Sequence, residues 1–519
     1  MKNRIISLFL VLALVLPMLI ACENGGSESD TTPMRETESE TAVSELEARA
    51  HKVPKQDFDG ETFNSLCYRM NTTNYYYFTD EEAAGDPIKE ALWKRDELIE
   101  EHLNVNLTAD MREGNECEQV ATLLRDDMAG ELDTYQQVLL HTISGVAELV
   151  VYGLAYDFSA LPNVDLTAEW WDLEDMESLR LGKIYPYGRS DFVISAPHVV
   201  TFNKTMIDDF NLDSPYDLVN SHAWTLDKML TMATAVVSDV NHDEEFSGDD
   251  DVFGICTSEV SKFNSFLTSC NQPVSRKNYD GRLEIVVKSE KTVKIVEMFA
   301  DVSLIGGVIH IDALEMYAKH MDKIFGEGRG LFALYDLSFL ELLRDYDINY
   351  GIVPYPKFDV DQQEYRSQDW GPMWAIPAAI KNPELVGSVV ELYSFYSSDT
   401  IVPAYYDKVL EGKLSQDIES RKMLELVFDS VAFDPLTNYF GFRSRIGGMA
   451  FVIGYLALNG DKNFASYYQE RITKAEQVLN EFYFELEKIG DFLINISQAV
   501  PAHWEGCSPV ADWSPPSGW

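Results

Sequence analysis

The densest group of potential metal ligands lies in the run DVNHDEEFSGDDD at positions 239–251. Oxygen-bearing side chains recur there at alternate positions, as in the calcium-binding loop of an EF-hand. The ligand set that this spacing predicts is Asp239, Asn241, Asp243, the Glu245 carbonyl, Ser247 and Asp250. The loop departs from the EF-hand pattern because Glu244 occupies the usual glycine position and because the loop ends in Asp instead of a bidentate Glu. Two hypotheses therefore stand side by side, a structural Ca²⁺ site and a solvated acidic loop.

Sequence motifs of known catalytic centres are not found. The chain has no Gly-x-Ser-x-Gly nucleophile elbow, no His-Glu-x-x-His zinc motif and no Walker-type phosphate loop. Its 86 Asp and Glu residues contain no placement that singles out a pair for glycoside hydrolysis. There is no Cys-x-x-Cys spacing, so a structural zinc site is not expected. We predict that the chain is not an enzyme.

The N-terminus has the layout of a secretory signal peptide. Two basic residues precede an apolar run at positions 5–20, and Ala21 and Cys22 follow. The ending Leu-Ile-Ala-Cys resembles the bacterial lipobox, in which the Cys receives acyl chains such as palmitate. This predicts cleavage of residues 1–21 and a membrane lipid anchor at Cys22. The alternative is an uncleaved anchor helix or ordinary secretion.

Composition then bounds the partners of the mature chain. Residues 22–56 are rich in Glu, Ser and Thr and predict a disordered acidic tether behind the lipidated Cys. The formal net charge is −45 for the full chain and −47 after loss of Lys2 and Arg4 with the signal peptide. This charge should repel nucleic acid, so a polyanionic ligand is not expected. After lipidation of Cys22, five of the six cysteines remain, and no pair among them forms a convincing disulfide framework.

Hydrophobic periodicity predicts alternating strands and helices from Phe58 onward. Asp86 can cap a helix that Pro87 opens, with Arg95 interrupting its apolar face. The other predicted elements include strands at 62–67, 105–108, 136–141, 192–203, 282–287 and 350–353, and helices at 116–128, after Thr225, at 383–396 and at 464–489. The alternation of strands and helices in the first part predicts an α/β fold with a parallel sheet covered by helices.

Several stretches, taken in order, resemble the sugar-binding branch (family 1) of the extracellular solute-binding lipoproteins of ABC importers. They span most of positions 58–510. The stretches are Asp86 to Leu107, Glu169-Trp170-Trp171-Asp172, Phe202-Asn203-Lys204, Pro215 to Leu218, Trp224 to Lys228, Phe325 to Phe332, and Gly351 to Lys357.

The resemblance implies a two-lobe, periplasmic-binding-protein-like (type II) fold with a hinge and an interlobe ligand cleft. When the family fold is applied to this sequence, the first lobe comprises residues 57–196 plus 354–398, and the second comprises 197–353 plus 399–515. The chain would cross between lobes near Ala196-Pro197, near Pro354 and near Asp399. A hinge with few crossings permits closure around a ligand.

A sugar ligand would need aromatic side chains against its apolar face and polar side chains for its hydroxyls. The residues expected to supply them are Trp171, Trp370, Tyr335, Trp170, Trp374, Asp336, Asp369 and Asn74. For each tryptophan, burial in the protein core is the alternative.

The resemblance therefore predicts an extracytoplasmic substrate-binding subunit that captures a carbohydrate, with an oligosaccharide as the expected ligand. We expect this subunit to be a monomer. It would deliver the ligand to ABC transporter permease subunits, and any ATPase would be another subunit. The alternatives are a surface lipoprotein enzyme acting on glycans and a binding or sensor lipoprotein for another solute.

Overall fold

The computed structural model of the chain describes residues 50–69, 77–78, 85–113, 117–140, 145–194, 196–311, 321–369, 371–410, 417–441 and 447–496. Its strands are β1 (Glu61–Arg69), β2 (Val105–Glu113), β3 (Gln137–Leu140), β4 (His198–Asn203), β5 (Phe253–Thr257), β6 (Ser275–Lys277), β7 (Leu283–Ile285), β8 (Ile309–Ile311), β9 (Gly330–Asp336), β10 (Tyr350–Val353), β11 (Ser367–Gln368), β12 (Met373–Ala375) and β13 (Val431–Ala432).

The α-helices are α1 (Pro87–Leu103), α2 (Cys117–Ala129), α3 (Ala147–Val151), α4 (Leu173–Leu179), α5 (Lys204–Asp209), α6 (Pro215–Asn220), α7 (Leu226–Ala235), α8 (Ser265–Ser269), α9 (Glu290–Ser303), α10 (Met321–Gly326), α11 (Phe339–Leu342), α12 (Pro383–Asp399), α13 (Ile401–Leu410), α14 (Ile418–Asp429), α15 (Pro435–Phe440), α16 (Val452–Tyr455) and α17 (Phe464–Ile496). Short 3₁₀ helices are Phe158–Ala160, Val260–Asn264, Leu343–Asp345, Gly447–Met449 and Ala457–Asn459.

The first sheet has the strand order β12-β3-β1-β2. β1 runs parallel to β2 and β3, whereas β12 is antiparallel to β3. Parallel neighbours need a crossover, and α1 and α2 supply it between successive strands. As the sequence predicts, α1 begins where the Asp86 carboxylate accepts the N–H of Ile88, with Pro87 in the first turn.

The charged residue on the apolar face of α1 is a buried part of the core. Arg95 is fully buried, and its guanidinium carbon lies 4.6 Å from the ring centroid of Tyr393 on α12. It donates to the Asp96 carboxylate at 2.8 Å and to the Tyr77 carbonyl at 2.6 Å. Arg95, which interrupts the apolar periodicity of α1, is thus a buried cation stabilised by an aromatic ring and two hydrogen-bond acceptors.

The second sheet has the order β10-β4-β9-β5-β8. β5 is parallel to β8 and β9, and β4 is antiparallel to β9 and β10. Beside it, the fully buried Trp224 donates its indole N–H to the Pro354 carbonyl at 2.8 Å. The mixed α/β architecture with two principal sheets confirms the predicted fold class.

Between the two sheets the chain passes through a short parallel ladder of β11 and β13. β11 lies between β10 of the second sheet and β12 of the first sheet along the chain. α13 packs against α1, next to the first sheet, and α14 packs against β10 of the second sheet. The exact lobe boundaries, including the crossing near Asp399, stay predictions.

A second connection between the two halves is formed by α15 and α17. On α15, Tyr439 donates its hydroxyl to the Leu179 carbonyl, and its own carbonyl accepts the Val146 N–H at 2.8 Å. On α17, the Tyr483 hydroxyl accepts the N–H of Leu283 in β7 at 2.7 Å, while α17 also contacts α3. The C-terminal helices therefore hold segments from both halves together.

Several predictions concern residues outside the described ranges. These are the signal peptide, Cys22, the tether up to position 49, Asn74 and Trp370. Among the described residues, no helix combines the length and apolar character needed to cross a membrane.

Candidate functional site

The carboxyl edge of the second sheet gathers polar side chains from three strands. β5 and β9 run parallel and end there at Thr257 and Asp336, and the antiparallel β4 begins there with His198 opposite Asp336. In open α/β sheets, ligands bind in the crevice outside the carboxyl ends of the strands. This edge is therefore the first part of the candidate site.

An ion pair occupies the centre of this edge. The Lys262 ammonium lies 3.1 Å from an Asp336 carboxylate oxygen and 4.1 Å from the ring centroid of Tyr335. The second Asp336 oxygen accepts the Ser338 N–H at 3.0 Å. The structure thus brings together two predicted ligand-binding residues, Tyr335 and Asp336, with Lys262, which the sequence analysis missed. The part of these residues in ligand binding stays a prediction.

His198 extends this network towards the crossing segment that precedes β4. One ring nitrogen lies 2.6 Å from the Ser265 hydroxyl, and the other lies 3.4 Å from the Lys262 ammonium. Burial lowers the pKa of His198 well below its usual range, and the Lys262 charge lowers it further. The imidazole is therefore neutral, and the charge of Lys262 is balanced by Asp336.

Three neutral side chains around this edge are buried and have hydrogen-bonding atoms without a partner among the described residues. They are the Ser258 hydroxyl, both ends of the Asn264 amide and the Gln368 amide oxygen. Leaving a buried polar group unpaired costs roughly 1–3 kcal/mol. Native proteins have few such groups, and each calls for an explanation.

A second buried ion pair lies beside the first sheet, where β12 begins. The Arg189 guanidinium is 3.0 Å from the Asp369 carboxylate and donates to the Pro372 carbonyl at 3.2 Å. Its carbon lies 4.7 Å from the ring centroid of Phe433, and the other Asp369 oxygen accepts the Gly371 N–H at 2.8 Å. Asp369, a predicted ligand-binding residue, is thus held by protein groups.

Electrostatics around this pair favour the charged guanidinium. Burial alone would lower the pKa of Arg189, but Asp369, Asp175 and Asp172 outweigh it and raise that pKa. Burial, helped by the neighbouring Asp172, raises the pKa of the Asp175 carboxyl well above its usual range.

Among the tryptophans expected to contact a sugar ring, Trp170, Trp171 and Trp374 lie in the hydrophobic core beside the first sheet. Trp171 stacks on Trp374 with a ring-centroid separation of 5.6 Å and an interplanar angle of 5°. Trp170 and Trp171 donate their indole N–H groups to the Glu391 carboxylate at 2.9 and 2.8 Å, and Trp374 donates to Gln137 at 2.9 Å. Their ligand contacts stay a prediction, and in this structure protein groups satisfy their polar atoms.

The acidic loop adopts a turn that resembles an EF-hand loop in its backbone. Glu244 has φ +65°, in the region that favours glycine, and its N–H donates to Asp239 at 2.9 Å. The Asn241 amide donates to Asp243 at 3.0 Å and to Asp250 at 2.9 Å, so calcium ligation by Asn241 would require this amide to turn. Among the described residues, no group of three or more His, Cys, Asp and Glu side chains is placed to hold a metal ion.

Solved structures with a similar fold include several ABC solute-binding proteins. An ABC substrate-binding protein from Listeria monocytogenes in complex with cycloalternan aligns at a TM-score of 0.54 and 13% identity, over 81% of this chain and 100% of that chain. The maltose/maltodextrin-binding domain MalE from Bdellovibrio bacteriovorus, bound to maltotriose, gives a TM-score of 0.52 and 11% identity, over 80% and 99% of the two chains.

A family 1 extracellular solute-binding protein from Bifidobacterium longum subsp. infantis gives a TM-score of 0.50 and 16% identity, over 79% of this chain and 100% of that chain. No protein-family model and no curated protein matches the sequence. At these identities the likeness shows the fold. The resemblance seen in the sequence is confirmed at that level: the chain has the two-lobe fold of the ABC-transporter solute-binding proteins.

Proposed function

We propose that this chain is the extracytoplasmic substrate-binding lipoprotein of an ABC importer, which captures a carbohydrate between its two lobes and delivers it to permease subunits. The observation that carries the proposal is the polar carboxyl edge of the second sheet, in a fold shared with proteins solved with cycloalternan and maltotriose. Hydroxyl groups of a sugar suit the neutral hydrogen-bonding side chains found there.

The charges at both edges support an uncharged ligand. Lys262 is paired with Asp336, and Arg189 with Asp369, so neither cation needs a ligand carboxylate or phosphate to balance it. Bringing a further charge into such a buried place is costly unless it is paired. A neutral sugar avoids this cost.

Thermal-shift measurements test the carbohydrate assignment. The purified protein is screened against maltotriose, maltotetraose, D-tagatose, ribitol, free amino acids and short peptides. Binding to the native state alone raises the unfolding temperature, so at least one sugar or sugar alcohol should do so. A response to peptides with none to carbohydrates would overturn the assignment. Release of shorter products from oligosaccharides would instead favour a glycan-active enzyme.

Membrane attachment through Cys22 is a separate part of the proposal and has its own test. In cells that express the full chain, the native protein should partition into the detergent phase and incorporate labelled palmitate. The variant Cys22→Ala should do neither. Equal partitioning of the two proteins would contradict lipidation at this residue.

We also propose a structural Ca²⁺ at the acidic loop, held by Asp239, Asn241, Asp243, Glu245 and Asp250. The left-handed turn at Glu244 supports it, because this turn lets the Asp239 carboxylate accept the Glu244 N–H. Calorimetric titration with Ca²⁺ should give heat that Asp239→Ala removes. Absence of heat with the native protein would leave a solvated loop.

A further inference from the structure

Asn264, Ser258 and Gln368 are three buried neutral residues near the crossing between the two sheets, with side-chain polar atoms that lack a partner among the described residues. Their side chains are 3%, 4% and 6% exposed. Asn264 has neither its amide nitrogen nor its amide oxygen engaged among the described residues. Buried amides almost always find a partner in the protein, in ordered water or in another bound molecule, so these atoms have hydrogen bonds available for a group from outside the protein.

These three residues come from elements that meet at the crossing between the lobes. Ser258 directly follows β5, and Asn264 ends the 3₁₀ helix Val260–Asn264 immediately before α8. α8 contacts β11, which contains Gln368, and its first residue, Ser265, lies 2.6 Å from His198. Ser258 and Asn264 therefore lie at the carboxyl edge of the second sheet, where ligands bind in open α/β folds, and Gln368 lies on the strand that contacts α8.

The unpartnered groups of this set are all uncharged. Ser258 offers a hydroxyl, Asn264 a donor and an acceptor, and Gln368 an acceptor. An alcohol hydroxyl also donates one hydrogen bond and accepts others, so the hydroxyls of a sugar match the donors and acceptors of this set. Lys262, the nearby cation, already pairs with Asp336.

We propose that Asn264, Ser258 and Gln368 form a subsite that binds hydroxyl groups of an uncharged ligand. The inference rests on the proposed function and names the residues that distinguish neutral sugars from charged ones. In the complex, ligand hydroxyls satisfy the Asn264 amide, the Ser258 hydroxyl and the Gln368 amide oxygen.

The substitution Asn264→Leu tests the subsite because Leu has nearly the same shape and the backbone at Asn264 is right-handed helical. In the ligand-free protein, it removes two unsatisfied polar atoms and should keep or raise the unfolding temperature. Affinity for the sugar that gives the largest shift in the panel should fall about tenfold or more, measured by calorimetry.

Asn203→Leu is the matched control. Asn203 is also a buried asparagine of the second lobe, but its amide oxygen accepts the Met206 N–H at 3.2 Å and its nitrogen donates to the Gly328 carbonyl at 3.4 Å. It lies at the opposite end of β4 from His198. This variant should lower the unfolding temperature and leave sugar affinity unchanged.

Charge discrimination gives a second measurement that is independent of any variant. The native protein is titrated with glucose, glucuronate and glucosamine, and with the best sugar of the panel. We expect neutral sugars to bind at least about tenfold more tightly than the two charged derivatives.

The outcomes separate the two proposals. If sugar affinity is unchanged in Asn264→Leu while the ligand-free protein is destabilised, bound water or protein groups satisfy the amide and the subsite is overturned, although carbohydrate capture stands. Preference for glucuronate or glucosamine also overturns the subsite alone. A native protein that binds peptides but no sugar overturns both proposals.

Discussion

The two sheets each present a buried ion pair near the crossing segments, but the surroundings of the two pairs differ. Arg189 and Asp369 are held by a carbonyl, a backbone N–H and an aromatic ring. Around Lys262 and Asp336, by contrast, the Ser258 hydroxyl and the Asn264 amide lack partners among the described residues. The first ion pair is thus held by internal bonds, whereas neutral groups beside the second ion pair retain hydrogen-bonding capacity.

This difference separates stability from recognition. A saturated edge gives a ligand little to bind, and its removal leaves buried charge unbalanced. An edge with unpaired polar groups lowers the stability of the ligand-free protein, and a ligand that bonds to these groups raises that stability. We therefore expect substitutions at the first edge to reduce stability and those at the second edge to reduce affinity.

The largest effect is expected from Arg189→Met. It leaves Asp369 buried without its cation, which should lower the free energy of unfolding by about 3–5 kcal/mol. Urea denaturation measures this loss. The double variant Arg189→Met with Asp369→Leu should recover part of the stability because it removes both charges. A loss below about 1 kcal/mol in the single variant would contradict the structural role assigned to this edge.

The next largest effect concerns the carboxylate that binds both indoles in the first lobe. Burial raises the pKa of Glu391 from 4.5 to about 7. Because the folded protein holds the proton more tightly than the unfolded chain, the Glu391 contribution to stability falls as pH rises from about 4.5 to about 7. The change is about 3 kcal/mol, at 1.36 kcal/mol for each pKa unit.

Glu391→Gln checks this prediction because its amide does not titrate. The stability of the native protein relative to this variant should be about 2.5 kcal/mol higher at pH 5 than at pH 8, measured by urea denaturation at both values. Identical pH profiles for the two proteins would show that this carboxyl is not perturbed.

A smaller loss of stability is expected at the second edge from Lys262→Met. Asp336 would keep two hydrogen bonds from Ser338, and its side chain is 12% exposed. The Asp369 side chain, by contrast, is fully buried and would keep one hydrogen bond from a backbone N–H. The free energy of unfolding should therefore fall by only about 1.5–3 kcal/mol. Sugar affinity should fall as well, because the charge balance around the proposed subsite is lost. Comparing denaturation and calorimetry for this variant and Arg189→Met tests the contrast directly. A loss of sugar affinity in Arg189→Met but not in Lys262→Met would contradict the proposed difference between the two ion pairs.

The smallest effect is expected from Glu244→Gly, in the acidic loop of the second lobe. Glycine adopts φ +65° without steric cost, so stability should rise by up to about 1 kcal/mol. Calcium affinity should increase and sugar affinity should stay unchanged. Unchanged calcium binding would show that this backbone turn does not control the loop.

Elements with strong local signals could be predicted from the sequence. α1 starts at Pro87 behind Asp86, β10 covers 350–353, and Thr225 caps α7 through the N–H of Lys228 at 3.4 Å. Each depends on residues that are neighbours in the chain, so propensity and capping chemistry are sufficient. The α/β class followed from their alternation.

The partners within the candidate site could not be predicted in this way. Lys262 and Asp336 are 74 positions apart, and Arg189 and Asp369 are 180 apart. Trp171 finds Glu391 after 220 positions. Nothing in the local sequence marks these pairings, because the topology of the sheets decides which side chains meet.

The ladder of β11 and β13 gives the chain only two paired residues on each strand at this crossing. Gln368 belongs to that ladder and also to the proposed subsite. A hydrogen bond from the ligand to Gln368 would therefore act directly on the segment that connects the two sheets, so ligand binding and lobe movement would be coupled at the same residue. Engineering this protein as an optical sugar sensor would consequently face a trade-off at Gln368, since tuning its affinity would also change the amplitude of its signal.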